Sequence, residues 1–145
     1  MTYREWEFKD LMRIALLEKE FFPATAWTFQ MLADSFHSGR FYGICCEEDG
    51  LVVGYGGVTF GADDAEIDNI GVEEEYRGEG LGKTILGMLV KKAKEKKMKR
   101  IFLEVRVSNT AAMLLYLKHG FHGLYVRPRY YPDGEDAVVM VRELS

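Results

Sequence analysis

Apolar residues recur along this chain with two alternating periods, and the switches between them outline its elements. Tyr3 to Phe8 reads as a first strand. Asp10 then stands where a helix cap belongs, ahead of Leu11, Ile14, Leu17 and Phe21 at helical spacing. Pro23 ends that helix. Thr28 to Phe36 predicts a second short helix with Phe29, Leu32 and Phe36 on one face. Phe41 to Glu47 and Leu51 to Phe60 predict a hairpin around Glu48-Asp49-Gly50. Ala65 to Val72 predicts the next strand. A helix follows over Leu81 to Lys97, with Leu81, Ile85, Met88, Leu89 and Ala93 facing inward. Ile101 to Val107 is expected as a strand, and Asn109 to His119 as a helix capped by Ser108 or Asn109. Phe121 to Arg127 and Ala137 to Arg142 predict a closing antiparallel pair across the loop Pro128 to Asp136.

The resulting order is β-α-α-β-β-β-α-β-α-β-β. An antiparallel start in a mixed order predicts an α/β domain with a mixed central sheet rather than a doubly wound one. The 145 residues suit one domain, 1–145, with neither repeat nor linker. At 48% hydrophobic and 29% charged, the composition is that of a globular chain. A net charge of -4 argues against nucleic acid as the main partner, and no apolar run approaches a membrane span. The start, Met1 to Trp6, lacks the apolar core of a signal peptide. Cys45 and Cys46 are adjacent in a strand-like run and are expected as buried thiols, so a cytoplasmic location is expected. His37, His119 and His122 do not have metal-ligand spacing, and no metal is expected.

Between the strand ending at Val72 and the helix starting at Leu81 runs Arg77-Gly78-Glu79-Gly80-Leu81-Gly82-Lys83. Glycines there let backbone approach a bulky anion, and the N–H groups of a helix start favour its charge. The segment therefore reads as a diphosphate cradle. A Walker A loop would need Gly where Arg77 stands, and a dinucleotide fingerprint would need Gly at Lys83. What remains is Arg-x-x-Gly-x-Gly over Arg77, Gly80 and Gly82.

That pattern resembles the acetyl-CoA pyrophosphate loop of the GNAT acetyltransferase superfamily. The strings Leu103-Glu104-Val105-Arg106, Asn109 to Tyr116 and Arg129-Tyr130-Tyr131-Pro132-Asp133-Gly134-Glu135-Asp136-Ala137 narrow the resemblance. They are similar to the N-terminal acetyltransferases of the RimI type, which acetylate a ribosomal protein. The likeness is strong from about Asn69 to Met140, and Phe22-Pro23 and Trp27 add to it.

The resemblance implies the GNAT fold, in which the strands flanking the glycine loop and its helix splay around the pantetheine arm. It implies acetyl-CoA as co-substrate, held by Ile70, Gly71 and Val72, by Arg77, Gly78, Gly80, Leu81, Gly82 and Lys83, and by Asn109. A backbone N–H near Gly71 or Val72 would hold the oxyanion. Glu104 would be the general base that an α-amine, mostly protonated at neutral pH, requires. Tyr116 would be the general acid toward the thiolate. Glu66 and Asp68 alternate onto one strand face and could share or replace the base role. Tyr130 and Tyr131 would cover the first residues of an acceptor peptide. The implied activity is acetyl transfer to a protein N-terminus by direct attack. A GNAT acting on lysine or a small amine, and an idle acyl-CoA-binding partner subunit, remain as alternatives. The basic run Lys91 to Arg100 reads as a solvated helix face.

Overall fold

The computed structural model describes residues 1–144. Seven strands form one sheet in the order β1-β2-β3-β4-β5-β7-β6. They are β1 (Thr2–Glu5), β2 (Phe41–Glu48), β3 (Leu51–Phe60), β4 (Asp64–Val72), β5 (Arg100–Arg106), β6 (His122–Arg127) and β7 (Ala137–Glu143). The helices are α1 (Leu11–Phe21), α2 (Phe29–Phe36), α3 (Leu81–Glu95) and α4 (Thr110–Lys118). Every neighbouring pair is antiparallel except β4 with β5. The element order and the mixed sheet are those the sequence predicts.

Side-chain alternation sends each strand's apolar residues to two separate cores. One core, under α1 and α2, gathers Trp6, Leu11, Ile14, Leu17, Leu32, Cys45 and Tyr55. The other, under α3 and α4, gathers Ile44, Cys46, Val58, Ile67, Ile85, Leu89, Leu103 and Tyr116. Cys45 and Cys46 thus point to opposite faces, both as buried free thiols, and burial pushes Cys45 up to about 12. The β2–β3 turn places Asp49 (φ 52°) and Gly50 (φ 80°) both in the left-handed region, as a two-residue hairpin requires. Among the described residues no helix is long and apolar enough to cross a membrane.

Two local expectations change. The first strand stops at Glu5 rather than Phe8, because Trp6 turns into the core at 6% exposure and donates its indole N–H to the Ile44 carbonyl. Asp10 does not cap α1 with its side chain. Its carboxylate instead accepts from Arg4 at 2.8 and 2.9 Å and from the Glu7 N–H, which fastens a 3-10 turn at Phe8–Asp10.

The β3–β4 register shifts between Gly56↔Ile70 and Val58↔Ile67, so Asp68 and Asn69 together oppose Gly57. This bulge reverses which face the strand presents. Ahead of it Ala65 and Ile67 enter the α3 core; beyond it Ile70 packs on that core and Gly71 faces Tyr55.

Candidate active site

Strands β4 and β5 pair only at Asp64↔Arg100, Ala65↔Ile101 and Glu66↔Phe102. Beyond Glu66 the first continues along β3, and beyond Phe102 the second continues along β7. The opening between them is lined by Ile67 to Ile70 on one side and Leu103 to Arg106 on the other, with Asn109, Ala112, Tyr116 and Tyr131 alongside. This is the splay the resemblance implies, and it communicates with a cavity at each end.

One end is the glycine segment. A cleft there is lined by Phe21, Ile70 to Val72, Tyr76 to Gly78, Gly80 to Lys83, Asn109, Ala112, Leu115 and Tyr116. The first N–H groups of α3 have no partner within the helix, and this is where they lie. Gly80 precedes them at φ 86°. Gly82 has no such constraint: a Cβ on it would meet Leu115 at 3.7 Å, an ordinary contact. Packing therefore does not demand glycine at 82, whereas close approach of an anion does. These residues fit an acyl-CoA diphosphate. The Leu81 side chain is buried in the core, leaving its backbone N–H for that role. Arg77 donates to the Val72 carbonyl at 2.9 Å and stacks on Phe21, so it shapes the loop as well as lining the cleft. Asn109 accepts from the Ala112 N–H at 3.2 Å and caps α4 while bordering the opening.

In the middle of the opening stands Tyr116, 9% exposed and packed on Phe121. Burial pushes its hydroxyl up to about 12, so it stays protonated at neutral pH.

At the other end Glu66, Asp68, Asn69, Glu104, Trp27, Tyr130 and Tyr131 line a single cavity. One oxygen of Glu104 accepts from the Tyr130 hydroxyl at 3.2 Å. The other, Oε2, is buried without a hydrogen bond and lies 3.0 Å from Arg127 Nε. Burial first, then the neighbouring Glu104 charge, raises the Glu66 carboxyl. Asp68 accepts from Thr59 at 2.9 Å, and burial pushes it up to about 7.

The loop bearing the two tyrosines is held by its acids. Arg106 reaches Asp133 at 2.8 Å and Glu135 at 2.9 Å, and its guanidinium covers the Tyr131 ring at 4.1 Å. The Ser108 N–H donates to Glu135 and the Arg129 N–H to Asp136. The acidic letters of that string are thus loop fastenings.

The sequence reading missed Glu18. It is 1% exposed on α1 and accepts from the Tyr55 hydroxyl, the Asn69 amide and the Trp27 N–H. It thereby joins α1, the β4 bulge and the segment bearing Trp27. Tyr55 in turn lies so close over Gly71 that a Cβ there would sit 2.6 Å from its hydroxyl. The signal was present: Glu18 falls four residues after Ile14, on the buried face of a helix. Arg127 and Thr59 were missed too, and only the three-dimensional contacts reveal them. Among the described residues no cluster of three His, Cys, Asp or Glu could hold a metal ion.

The family model described as "Acetyltransferase (GNAT) family" matches residues 4–121. A Bacillus subtilis protein named as a candidate [ribosomal protein bS18]-alanine N-acetyltransferase is 41% identical over 123 residues, covering 81% of this chain and 82% of that one. An uncharacterized N-acetyltransferase of Methanocaldococcus jannaschii is 35% identical over 99% of this chain and 92% of its own. The crystal structure of the Escherichia coli ribosomal-protein-S18-alanine N-acetyltransferase superposes with a TM-score of 0.89 at 30% identity, covering 99% of this chain and 94% of that one. With the family model spanning most of its length, this chain belongs to the GNAT acetyltransferase family.

Proposed function

We propose that the protein transfers the acetyl group of acetyl-CoA to the N-terminal α-amino group of a protein, in the manner of the bS18-alanine acetyltransferases it is similar to. The observation that carries this reading is the fastened Tyr130–Tyr131 loop over the acceptor cavity. A closed loop suits a chain end and hinders a lysine flanked by backbone on both sides.

The diphosphate rests on the α3 N-terminus, and the pantetheine amides pair with Ile70 to Val72 like an added strand. Along a strand, backbone N–H groups point alternately to either side, and one facing the opening near Gly71 or Val72 holds the oxyanion. The amine attacks the thioester carbonyl carbon directly. Glu104 takes a proton from the acceptor nitrogen. The C–S bond breaks, and the Tyr116 hydroxyl donates to the departing sulfur. Its raised pKa keeps the Tyr116 hydroxyl protonated but makes it a reluctant proton donor, so its contribution is a modest one.

The test is a peptide panel with acetyl-CoA. Peptides with free N-termini are expected to be acetylated, and N-blocked peptides bearing lysine are not. Preference for the blocked set would assign a lysine acetyltransferase instead. Tight acetyl-CoA binding without turnover on any peptide or amine would assign a binding subunit.

A further inference from the structure

An ammonium that becomes an amide sheds two protons. One must leave before attack, to free the lone pair. The second leaves the nitrogen as the tetrahedral intermediate collapses. Glu104 is poorly placed to receive both. Its Oε1 is covered by the Tyr130 hydroxyl, and its Oε2 is buried against Arg127.

Asp68 has the opposite surroundings. It lines the same acceptor cavity as Glu104, Tyr130 and Tyr131. Its Oδ2 accepts from Thr59, while Oδ1 has no protein donor among the described residues. The charged and titratable groups around it are Glu18 from α1, Glu66 from its own strand, Glu104 from β5, Arg127 and Tyr125 from β6, Arg40 beside β2 and the loop tyrosines. None of the cations among them is ion-paired to it. Glu66 is a weaker candidate because it lies exposed at the rim, although it lines the same cavity.

We propose that Asp68 takes the first proton, from the acceptor's ammonium, and that Glu104 takes the second. This rests on the acyl transfer proposed above. In the first step an N–H bond of the ammonium breaks and an O–H bond forms on Asp68, giving a neutral amine and a neutral acid. In the second the new C–N bond forms and the carbonyl pair moves to oxygen. On collapse that pair returns, the C–S pair leaves with sulfur, and the second N–H proton passes to Glu104. The sulfur is protonated from Tyr116 or solvent. A carboxyl poised near neutrality is matched to an α-amine with a pKa of about 8.

The experiment follows kcat/KM from pH 6 to 9.5 on one acetylated peptide for wild type, Asp68→Asn, Glu104→Gln and Thr59→Val, with thermal melts and acetyl-CoA titrations alongside. Asp68→Asn is expected to lose up to about 10-fold at pH 7, where roughly a tenth of an α-amine of pKa about 8 is already neutral. Its deficit should shrink to about 3-fold or less by pH 9.5, where the amine has lost its first proton unaided. Glu104→Gln should keep its deficit across the range. Thr59→Val removes a donor that favours ionised Asp68, so its acid limb should move to higher pH. A merely structural Asp68 would move neither the limb nor the shape of the profile. An Asp68→Asn profile parallel to wild type, or a Thr59→Val limb that stays put, overturns the inference. If wild type acts on lysine alone, the proposed function fails. The four profiles on that acceptor, extended above the lysine pKa of about 10.4, then decide the inference, because its ammonium sheds the same two protons.

Discussion

Arg127 holds its guanidinium 3.0 Å from Glu104 Oε2, an oxygen that is otherwise buried without a donor. The pair orients a carboxylate at the wall of the acceptor cavity. Glu104→Gln preserves the shape and removes the charge. It should lower turnover by about 10²-fold, the scale of a lost general base. The check is steady-state kinetics on a free N-terminus; a wild-type rate would take Glu104 out of the proton path.

Gly82→Val tests the anion cradle. The added Cβ makes only ordinary contacts, with Leu115 and Val72, so the melting temperature should hold while acetyl-CoA affinity falls by about tenfold or more. Gly80 is a poorer site for this test, since its positive φ strains any side chain. Calorimetric titration reads the result. Unchanged affinity in a folded Gly82→Val protein would remove the loop from the site.

Tyr116→Phe keeps the ring on Phe121 and deletes the hydroxyl. Turnover should drop by roughly 10-fold to 100-fold, with acetyl-CoA affinity and the thermal melt little changed. An unchanged turnover number with chemistry rate-limiting would mark Tyr116 as a packing residue only.

Asp68 also leaves a mark on stability. Its folded pKa, about 7, is raised above the unfolded value near 3.8. Its contribution is therefore complete below about pH 4, is lost as pH rises to about 7, and is constant above that. Asp68→Asn lacks this penalty. It should equal wild type near pH 4 and exceed it at pH 8 by about 1 kcal/mol or more, seen as a higher melting temperature. A pH-independent difference between the two melts would contradict the burial of this carboxylate.

Tyr55→Phe probes the buried carboxylate of Glu18. Losing the hydroxyl leaves Glu18 with the Trp27 and Asn69 donors alone. The expected cost is about 1–3 kcal/mol, a drop of several degrees in a thermal melt. A melt like that of wild type would mean that water replaces the hydroxyl freely.

The element order and the glycine segment were legible because they follow from local rules: period, caps and turn residues. Asn109 is a cap by letter and a cap in fact, whereas Thr28, read as the first residue of its helix, turns out to cap it. The RimI-type strings named Glu104, Tyr116 and the loop tyrosines, and the cavities do bring them together. Illegible were relationships that need two distant segments. Nothing near Glu104 in sequence announces Arg127, and nothing near Asp68 announces Thr59. The bulge at Asp68 and Asn69 was equally hidden, because a change of strand face in Glu66-Ile67-Asp68-Asn69-Ile70-Gly71 looks like imperfect alternation. Trp6 and Asp10 misled for a related reason: each serves a partner across the sheet rather than its own helix or strand.

Three residue pairs join β4 to β5, so the sheet is two half-sheets stitched along a short seam. Past the stitches, the backbone from Ile67 onward has no strand partner on that side, and its free groups are left to water or to something extended that arrives from outside. An acyl carrier lying there would serve as a temporary strand as well as a reactant. Occupancy and folding then share one equilibrium: a ligand at 100 times its Kd adds about 2.7 kcal/mol to the stability of the native state. The opening that would admit the chemistry is also the line along which β4 and β5 are least joined.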